Sequence, residues 1–544
     1  MSSKRKLRSN MDIPDLLNTY IYNPDAWSIY DSEPQIDDQN AYLFRRQFLI
    51  GPRPVELYKN WSHLKVKSDL FITAHPDLSL NSVRSEDRTL VLIGYALDPY
   101  NPERGDSEIV QDLLDRCADP ASLSQSASRL CGRYVLLFDS PEMSFILPDT
   151  GALRQVFYTA GNTEEFWAGS SPSLLAKVTN SSISDEITRD MMKTPLFKTS
   201  DFWLPGSLSF YGNIKHLLPN YYLNLSDRYI RRFWPHRVLE TISLTEQREK
   251  AAMLLRGIFD AATRRFPLAI GLSSGLDSRM LLAASREYSS NIDYFTMVSE
   301  QNSASHYDAA AAAELLEKLR VPHRIIPVPH EVPQFYTDVL EASICRHRPV
   351  KALNSYALFR NLSLDESNRV IVWGNLAEIT KRDRSRWPNV NEMLLSPDYL
   401  SLMALMNGSI RAREEFRWWL REAKSCSKHN VRSLDLLHWE HRVGSWAAGS
   451  LSEYDVAFES LCPYNCREYI ELFLRVPFRY RTKPHYRAHT ELIRTLWPET
   501  LKMPIGEPKN GISGTTLDLM YKSGTYDYLK YGYIQTVRRM RKTA

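Results

Sequence analysis

Ser273, Ser274, Gly275, Asp277 and Ser278 combine types and spacing suited to chemistry. They lie in LAIGLSSGLDSRM, residues 268–280. Leu268 to Leu272 read as a buried strand, Ser273-Ser274-Gly275 as a sharp turn, and Arg279 to Ala284 as a helix entered near Asp277. A small-residue turn from strand to helix aims backbone N–H groups and hydroxyls at one spot, with the positive end of the helix dipole behind them. That spot suits a phosphate. A carboxylate beside it is favourable when a divalent cation lies between the two negative groups, so Asp277 predicts a nucleotide with magnesium. The turn lacks the Gly and Lys-Ser/Thr spacing of a Walker A loop, and no GxGxxG is present. The competing reading is an ordinary turn capped by Ser and Asp.

The surrounding elements place a second turn against the first. An amphipathic helix over Leu244 to Thr263 precedes the loop; after it come strands at Ile292–Met297, Arg324–Val328 and Arg369–Trp373, with helices at Tyr307–Leu319 and Gln334–Ile344. This alternation predicts a parallel sheet with helices on both faces and a ligand at the carboxyl ends of the strands. Trp373-Gly374-Asn375-Leu376-Ala377-Glu378 then faces the Ser273 turn. Glu378 is either a second carboxylate of that site or the surface start of a polar run through Lys381, Arg382, Asp383 and Arg384. From Pro397 onward the chain reads as helical and Trp-rich. Upstream, residues 64–178 show short apolar runs between turn residues, with a helix at Glu108 to Arg116, which predicts an α+β domain.

Taken in order, these segments resemble the asparagine synthetase-like family. Ser273-Ser274-Gly275-Leu276-Asp277-Ser278 resembles the SGGxDS pyrophosphate loop of ATP-pyrophosphatases, with Ser274 where the family has its first Gly. The Gly374 turn falls where the family reads SGEGADE; Glu378 takes the place of the second magnesium-binding Asp, while Asn375, Leu376 and Ile379 depart from the pattern. Gly132-Arg133-Tyr134, Asp149-Thr150-Gly151, Phe157-Tyr158 and Trp167-Ala168-Gly169-Ser170-Ser171 resemble, in order, landmarks of class II glutamine amidotransferase domains. Cys462-Pro463-Tyr464-Asn465-Cys466-Arg467-Glu468 and Lys509-Asn510-Gly511-Ile512 are similar to the family's C-terminal segments.

The resemblance implies an α+β N-terminal domain, a class II glutamine amidotransferase-like β-sandwich, followed by an α/β parallel-sheet, adenine nucleotide α-hydrolase-like domain with a helical C-terminal part. The expected boundaries are an unassigned segment at 1–60, the amidotransferase-like domain at 61–235 and the synthetase-like domain at 236–544. It implies ATP and Mg2+, with nucleotide contacts from Leu272, Ser273, Ser274, Gly275, Asp277, Ser278, Met297 and Gly374, and metal ligation by Asp277 and Glu378. The family's catalytic lysine maps onto Lys509 or Lys502: Ile505 falls at its place by count, and Lys509 is favoured by the neighbouring Gly511. The implied reaction is attack of a substrate carboxylate on the α-phosphorus of ATP, loss of pyrophosphate, and displacement of AMP by an amine. Family glutaminases start the mature chain with a nucleophilic Cys, followed directly by a strand. Here the chain opens Met-Ser-Ser and the first cysteine is Cys117. The expectation is therefore a sandwich without glutaminase activity, with nitrogen from ammonia or the substrate's own amine, as in β-lactam synthetases and lasso-peptide cyclases. A divergent ammonia-using asparagine synthase and a non-catalytic nucleotide- or peptide-binding scaffold are the alternatives.

Composition narrows the partners. A chain of 544 residues, 43% hydrophobic and 24% charged, predicts a multidomain globular protein. A net charge of +4 leaves no footprint of a dedicated nucleic-acid binder. Six scattered cysteines without a CxxC pair predict reduced thiols, and no run of about 18 apolar residues predicts a membrane span. With no secretory signal legible near Met1, the expectation is a cytoplasmic protein acting on a small-molecule or peptide carboxylate, with a homodimer left open.

Overall fold

The computed structural model describes residues 30, 39–161, 164–199, 201–300, 302–363, 369–381, 390–483 and 485–506, with residues 520, 529, 532, 533 and 536. Lys509 lies outside the described residues.

Two antiparallel sheets form the N-terminal half. One contains β1 (Phe48–Gly51), β2 (Ser62–Lys67), β3 (Leu70–Ala74), β8 (Phe157–Thr159), β9 (Ala168–Gly169) and β10 (Ile214–His216), in the order β10-β8-β9-β1-β3-β2. The other contains β4 (Leu80–Ser85), β5 (Arg88–Leu97), β6 (Cys131–Asp139), β7 (Ser144–Pro148), β11 (Tyr221–Asn224) and β12 (Ile230–Arg232), in the order β12-β11-β7-β6-β5-β4. All nine residues of β6 are buried, which explains why its sequence is a continuous run rather than an alternation. Helix α1 (Asp106–Arg116) packs on β4 and β5. The sandwich begins earlier than the expected boundary at 61: β1 is a central strand between β9 and β3. Its four residues were too short a run to stand out in the sequence.

Gly132, the first residue of Gly132-Arg133-Tyr134, has φ +134°, and a Cβ there would meet the carbonyl oxygen of Tyr95 at 2.3 Å. Glycine is required because β5 approaches so closely.

The C-terminal half is built on a parallel sheet of β13 (Leu268–Gly271), β14 (Ile292–Val298), β15 (Arg324–Pro327), β16 (Val370–Val372) and β17 (Glu459–Leu461), in the order β15-β14-β13-β16-β17. Helix α2 (Leu244–Arg265) leads into it; Ser243 caps its start by accepting from the Glu246 N–H at 3.1 Å, and Ala251, Leu254, Leu255, Ile258 and Ala262 are buried. Helices α3 (Leu276–Ala284), α4 (Ser303–Leu319) and α5 (Ala377–Thr380) follow β13, β14 and β16. β13 is central, with β14 on one side and β16 on the other. Its carboxyl end is therefore the topological switch point, where open α/β sheets leave a crevice. The edge strand β17, three residues long, gave no signal in the sequence.

A buried charge network joins the two halves. Arg133 donates to Asp455 through both terminal nitrogens and to Glu459 Oε1 at 3.1 Å, and Arg154 donates to Glu459 Oε2 at 2.7 Å. Asn465 donates to the Gly132 carbonyl at 2.6 Å and to Asp149 at 2.9 Å, and accepts from the Gly151 N–H at 2.8 Å. Two of the amidotransferase-like landmarks thus act as clamps between the halves. Among the described residues, no helix is long and apolar enough to cross a membrane, and all six cysteines are free.

Candidate functional site

The Ser273–Ser278 turn leaves the carboxyl end of β13. Leu272, buried, is still tied to the sheet: its N–H donates to the Phe295 carbonyl at 2.8 Å and its carbonyl accepts from Thr296 Oγ1 at 3.0 Å. Met297 lies on the neighbouring β14, half-buried. Gly275 caps α3, so the turn delivers its hydroxyls at a helix start.

The polar groups of the turn are engaged with one another. The Ser273 N–H donates to Ser278 Oγ at 3.1 Å, the Gly275 N–H donates to Ser273 Oγ at 3.1 Å, and the two hydroxyls are 3.0 Å apart. The Ser274 N–H donates to Asp308 Oδ1 on α4 at 2.9 Å, and its hydroxyl donates to the same oxygen at 2.5 Å. That second bond gives the Ser274 departure a structural reason, since glycine could not make it. A carboxylate therefore holds a turn N–H that a phosphate would use.

The second turn closes on the first. A Cβ on Gly374 would lie 3.1 Å from Asp277 Cβ, so the absence of a side chain lets the two turns touch. Tyr464 donates to the Asp277 carbonyl at 2.8 Å, and Lys381, directly after α5, donates its ammonium to Asp277 Oδ2. Asp277 Oδ1 is buried without a hydrogen-bond partner. Glu378 is near enough to feel Asp277: burial first, and the Asp277 charge second, push its carboxyl above the usual range. Leu376 has φ +73°, a left-handed conformation costly for a side chain of that size. Its side chain is fully buried, within reach of Gly151 of the sandwich, and this burial offsets the strain.

The segment after Thr500 returns to the same place. Arg279 of α3 is buried and donates to the carbonyls of Thr500 at 2.6 Å, Met503 at 3.1 Å and Pro504 at 3.2 Å. The Gly506 N–H donates to the Ser274 carbonyl at 2.9 Å. Burial lowers the Arg279 guanidinium to about 10. Lys502 is exposed at the end of the turn Pro498–Lys502, and no hydrogen bond or ion pair among the described residues brings it to the loop.

The structure holds Ser273, Ser274, Gly275, Asp277 and Ser278 in one turn after β13, with Gly374 against Asp277 and Met297 on β14; the sequence reading names these residues together with Leu272 and Glu378. It missed Asp308 and Arg279, and it treated Lys381 as part of a surface run. Arg279 had a usable signal, a charged residue among the apolar positions of a buried helix; Asp308 had none, because its role depends on how α4 packs.

Asp277 Oδ1, unpaired and buried, and the adjacent Glu378 carboxyl suit a single divalent cation as donors, with Lys381 on the other Asp277 oxygen. Among the described residues no group of three or more His, Cys, Asp or Glu side chains is placed to hold a metal ion.

The sandwich offers no nucleophile at the start of β1. Gln47 precedes it, buried, with its amide nitrogen donating to the Ser343 carbonyl at 3.3 Å. Cys117 is buried and its thiol is pushed up to about 12 by burial, unsuited to thiolate chemistry. A cavity of about 130 Å³ lies between the halves, lined by residues including Gln155, Phe157, His216 and Glu453. Glu453 there is already paired with Arg348 at 2.7 Å, and Gln155 with Ser452 at 3.0 Å.

No known family model matches the chain, and no curated protein matches it. Among solved structures it is similar to NMN synthetase from Francisella tularensis, at 21% identity over 26% of this chain and a TM-score of 0.19. That match spans 58% of the synthetase, less than two thirds of its length. It is also similar to glutamine phosphoribosylpyrophosphate amidotransferase from B. subtilis, complexed with ADP and GMP, at 13% identity over 64% of this chain and 74% of that one, with a TM-score of 0.22. An NH3-dependent NAD synthetase from Campylobacter jejuni shares 15% identity over 35% of this chain and 85% of that one, with a TM-score of 0.19.

Proposed function

We propose that the protein is an ATP-dependent, AMP-forming amide or lactam synthetase of asparagine synthetase type, without glutaminase activity. The observation that carries this reading is the meeting of the Ser273–Ser278 and Gly374–Glu378 turns at the switch point of a parallel sheet, with Asp277 and Glu378 side by side.

In this reading the turn hydroxyls and N–H groups, once released from their internal partners, bind the pyrophosphate of ATP. A substrate carboxylate attacks the α-phosphorus, giving an acyl adenylate and pyrophosphate; an amine then forms the C–N bond, loses a proton and releases AMP. A magnesium ion held by Asp277 and Glu378 would supply positive charge against the leaving pyrophosphate. Arg279 holds the Thr500–Pro504 segment against the turn, which keeps that side of the site in place. Lys509, beyond Gly506, remains the proposed lysine for the acyl step, with Lys502 second. The buried Gln47 ahead of β1 supports nitrogen supply by ammonia or by an amine of the substrate.

A second reading, a nucleotide-binding relative without catalysis, is favoured by the Asp308 carboxylate on the Ser274 N–H. Release of AMP and pyrophosphate from ATP, screened across amino acids and peptides carrying a free carboxylate, separates the two. Substrate-dependent AMP supports the synthetase; ATP binding without AMP formation supports the second reading.

A further inference from the structure

Asp277 is fixed on three sides: Tyr464 holds its carbonyl, Gly374 packs on its Cβ, and Lys381 binds its carboxylate. The ion pair is partly buried, with side-chain exposures of 19% for Lys381 and 22% for Asp277. Lys381 is delivered there by local structure. The left-handed Leu376 turns the chain into α5, and the Lys381 N–H closes that helix on the Ala377 carbonyl at 3.0 Å. The ammonium therefore stands between the two turns, on the carboxylate that an incoming phosphate would otherwise meet uncompensated.

We propose that Lys381 is a resident cation of this site: it balances Asp277, holds it in place, and lets the Ser273–Ser278 turn accept a phosphate anion with reduced need of a divalent metal. This rests on the nucleotide reading above and adds to it a residue outside the two turn motifs. Lys381 acts as a positioning residue, because it works on the anion through Asp277. A lysine can offset charge here without dehydrating a metal ion, and an ammonium–carboxylate hydrogen bond is among the stronger polar contacts.

The test is calorimetric titration of pyrophosphate into the full chain, with magnesium and with EDTA, for wild type, Lys381→Met and Lys381→Arg. The expected result is wild-type affinity in EDTA within about tenfold of that in magnesium. Lys381→Met should lower the EDTA affinity by about 10- to 100-fold while keeping the magnesium-dependent part, and Lys381→Arg should restore most of it. Wild-type binding that requires magnesium, whatever the variants do, overturns the role of Lys381 and leaves the nucleotide reading intact. No pyrophosphate or ATP binding under either condition overturns both.

Discussion

Two groups of charged side chains, one across the seam between the halves and one at the carboxyl end of β13, are built to opposite ends. At the seam, Arg133 and Arg154 face Asp455 and Glu459, with the guanidiniums 1% exposed and every charge met by an opposite one. At the end of β13, Asp277 and Glu378 share one lysine, one Asp277 oxygen has no partner, and the exposures are near 20%. At the seam the carboxylates are paired and closed to solvent; at the end of β13 one carboxylate oxygen is left without a partner. A network that has satisfied its charges fixes domains together, whereas one that has not retains the capacity to bind.

The largest effect should come from the seam. Arg133→Met removes the bidentate partner of Asp455, while Glu459 keeps Arg154, and is expected to lower stability by about 3–5 kcal/mol in urea or thermal unfolding. ATP affinity of the folded fraction should stay within about twofold, since RT ln 2, about 0.4 kcal/mol, is the size of coupling expected between sites that share no partner. A loss of binding with little loss of stability would invert the contrast.

Acid probes the same network without substitution. Burial works to raise the Glu459 carboxyl, but Arg154, Arg133 and Arg46 outweigh it and hold it at about 2, against an ordinary 4.5. The unfolded chain then takes up the proton more readily than the native one. This contribution to stability is complete above pH 4.5 and is lost as pH falls from there toward 2. Unfolding followed by tryptophan fluorescence should show that loss in wild type and a weaker one in Glu459→Gln.

Ser274→Gly should act at the crevice and act mildly. It removes the hydroxyl bond to Asp308, costs about 0.5–1.5 kcal/mol, and should raise ATP affinity a few-fold by loosening the carboxylate's hold on the turn. Unchanged or weaker binding would mean that Asp308 does not compete with phosphate.

The same contrast explains what could be read in the sequence. Strand–turn–helix segments are local, so the Ser273 turn, the helix over 244–263 and the alternation that follows are legible from periodicity. The approach of the Trp373–Glu378 segment to the Ser273 turn follows from the parallel-sheet argument; the packing of Gly374 on Asp277 does not. What escaped was set by distant packing: the Asp308 bond spans 34 residues, the Lys381 pair 104, and the Arg133 network more than 300. Short strands such as β1 and β17 escaped too, because three or four residues carry no period.

Calorimetric titration of ATP with magnesium into wild type and Asp277→Asn tests the central claim most directly. The account predicts saturable binding to wild type that Asp277→Asn weakens by about tenfold or more, with a stability change of less than about 1 kcal/mol, as expected for a partly exposed pair. Equal binding to both proteins would contradict it, as would no binding to wild type at millimolar ATP.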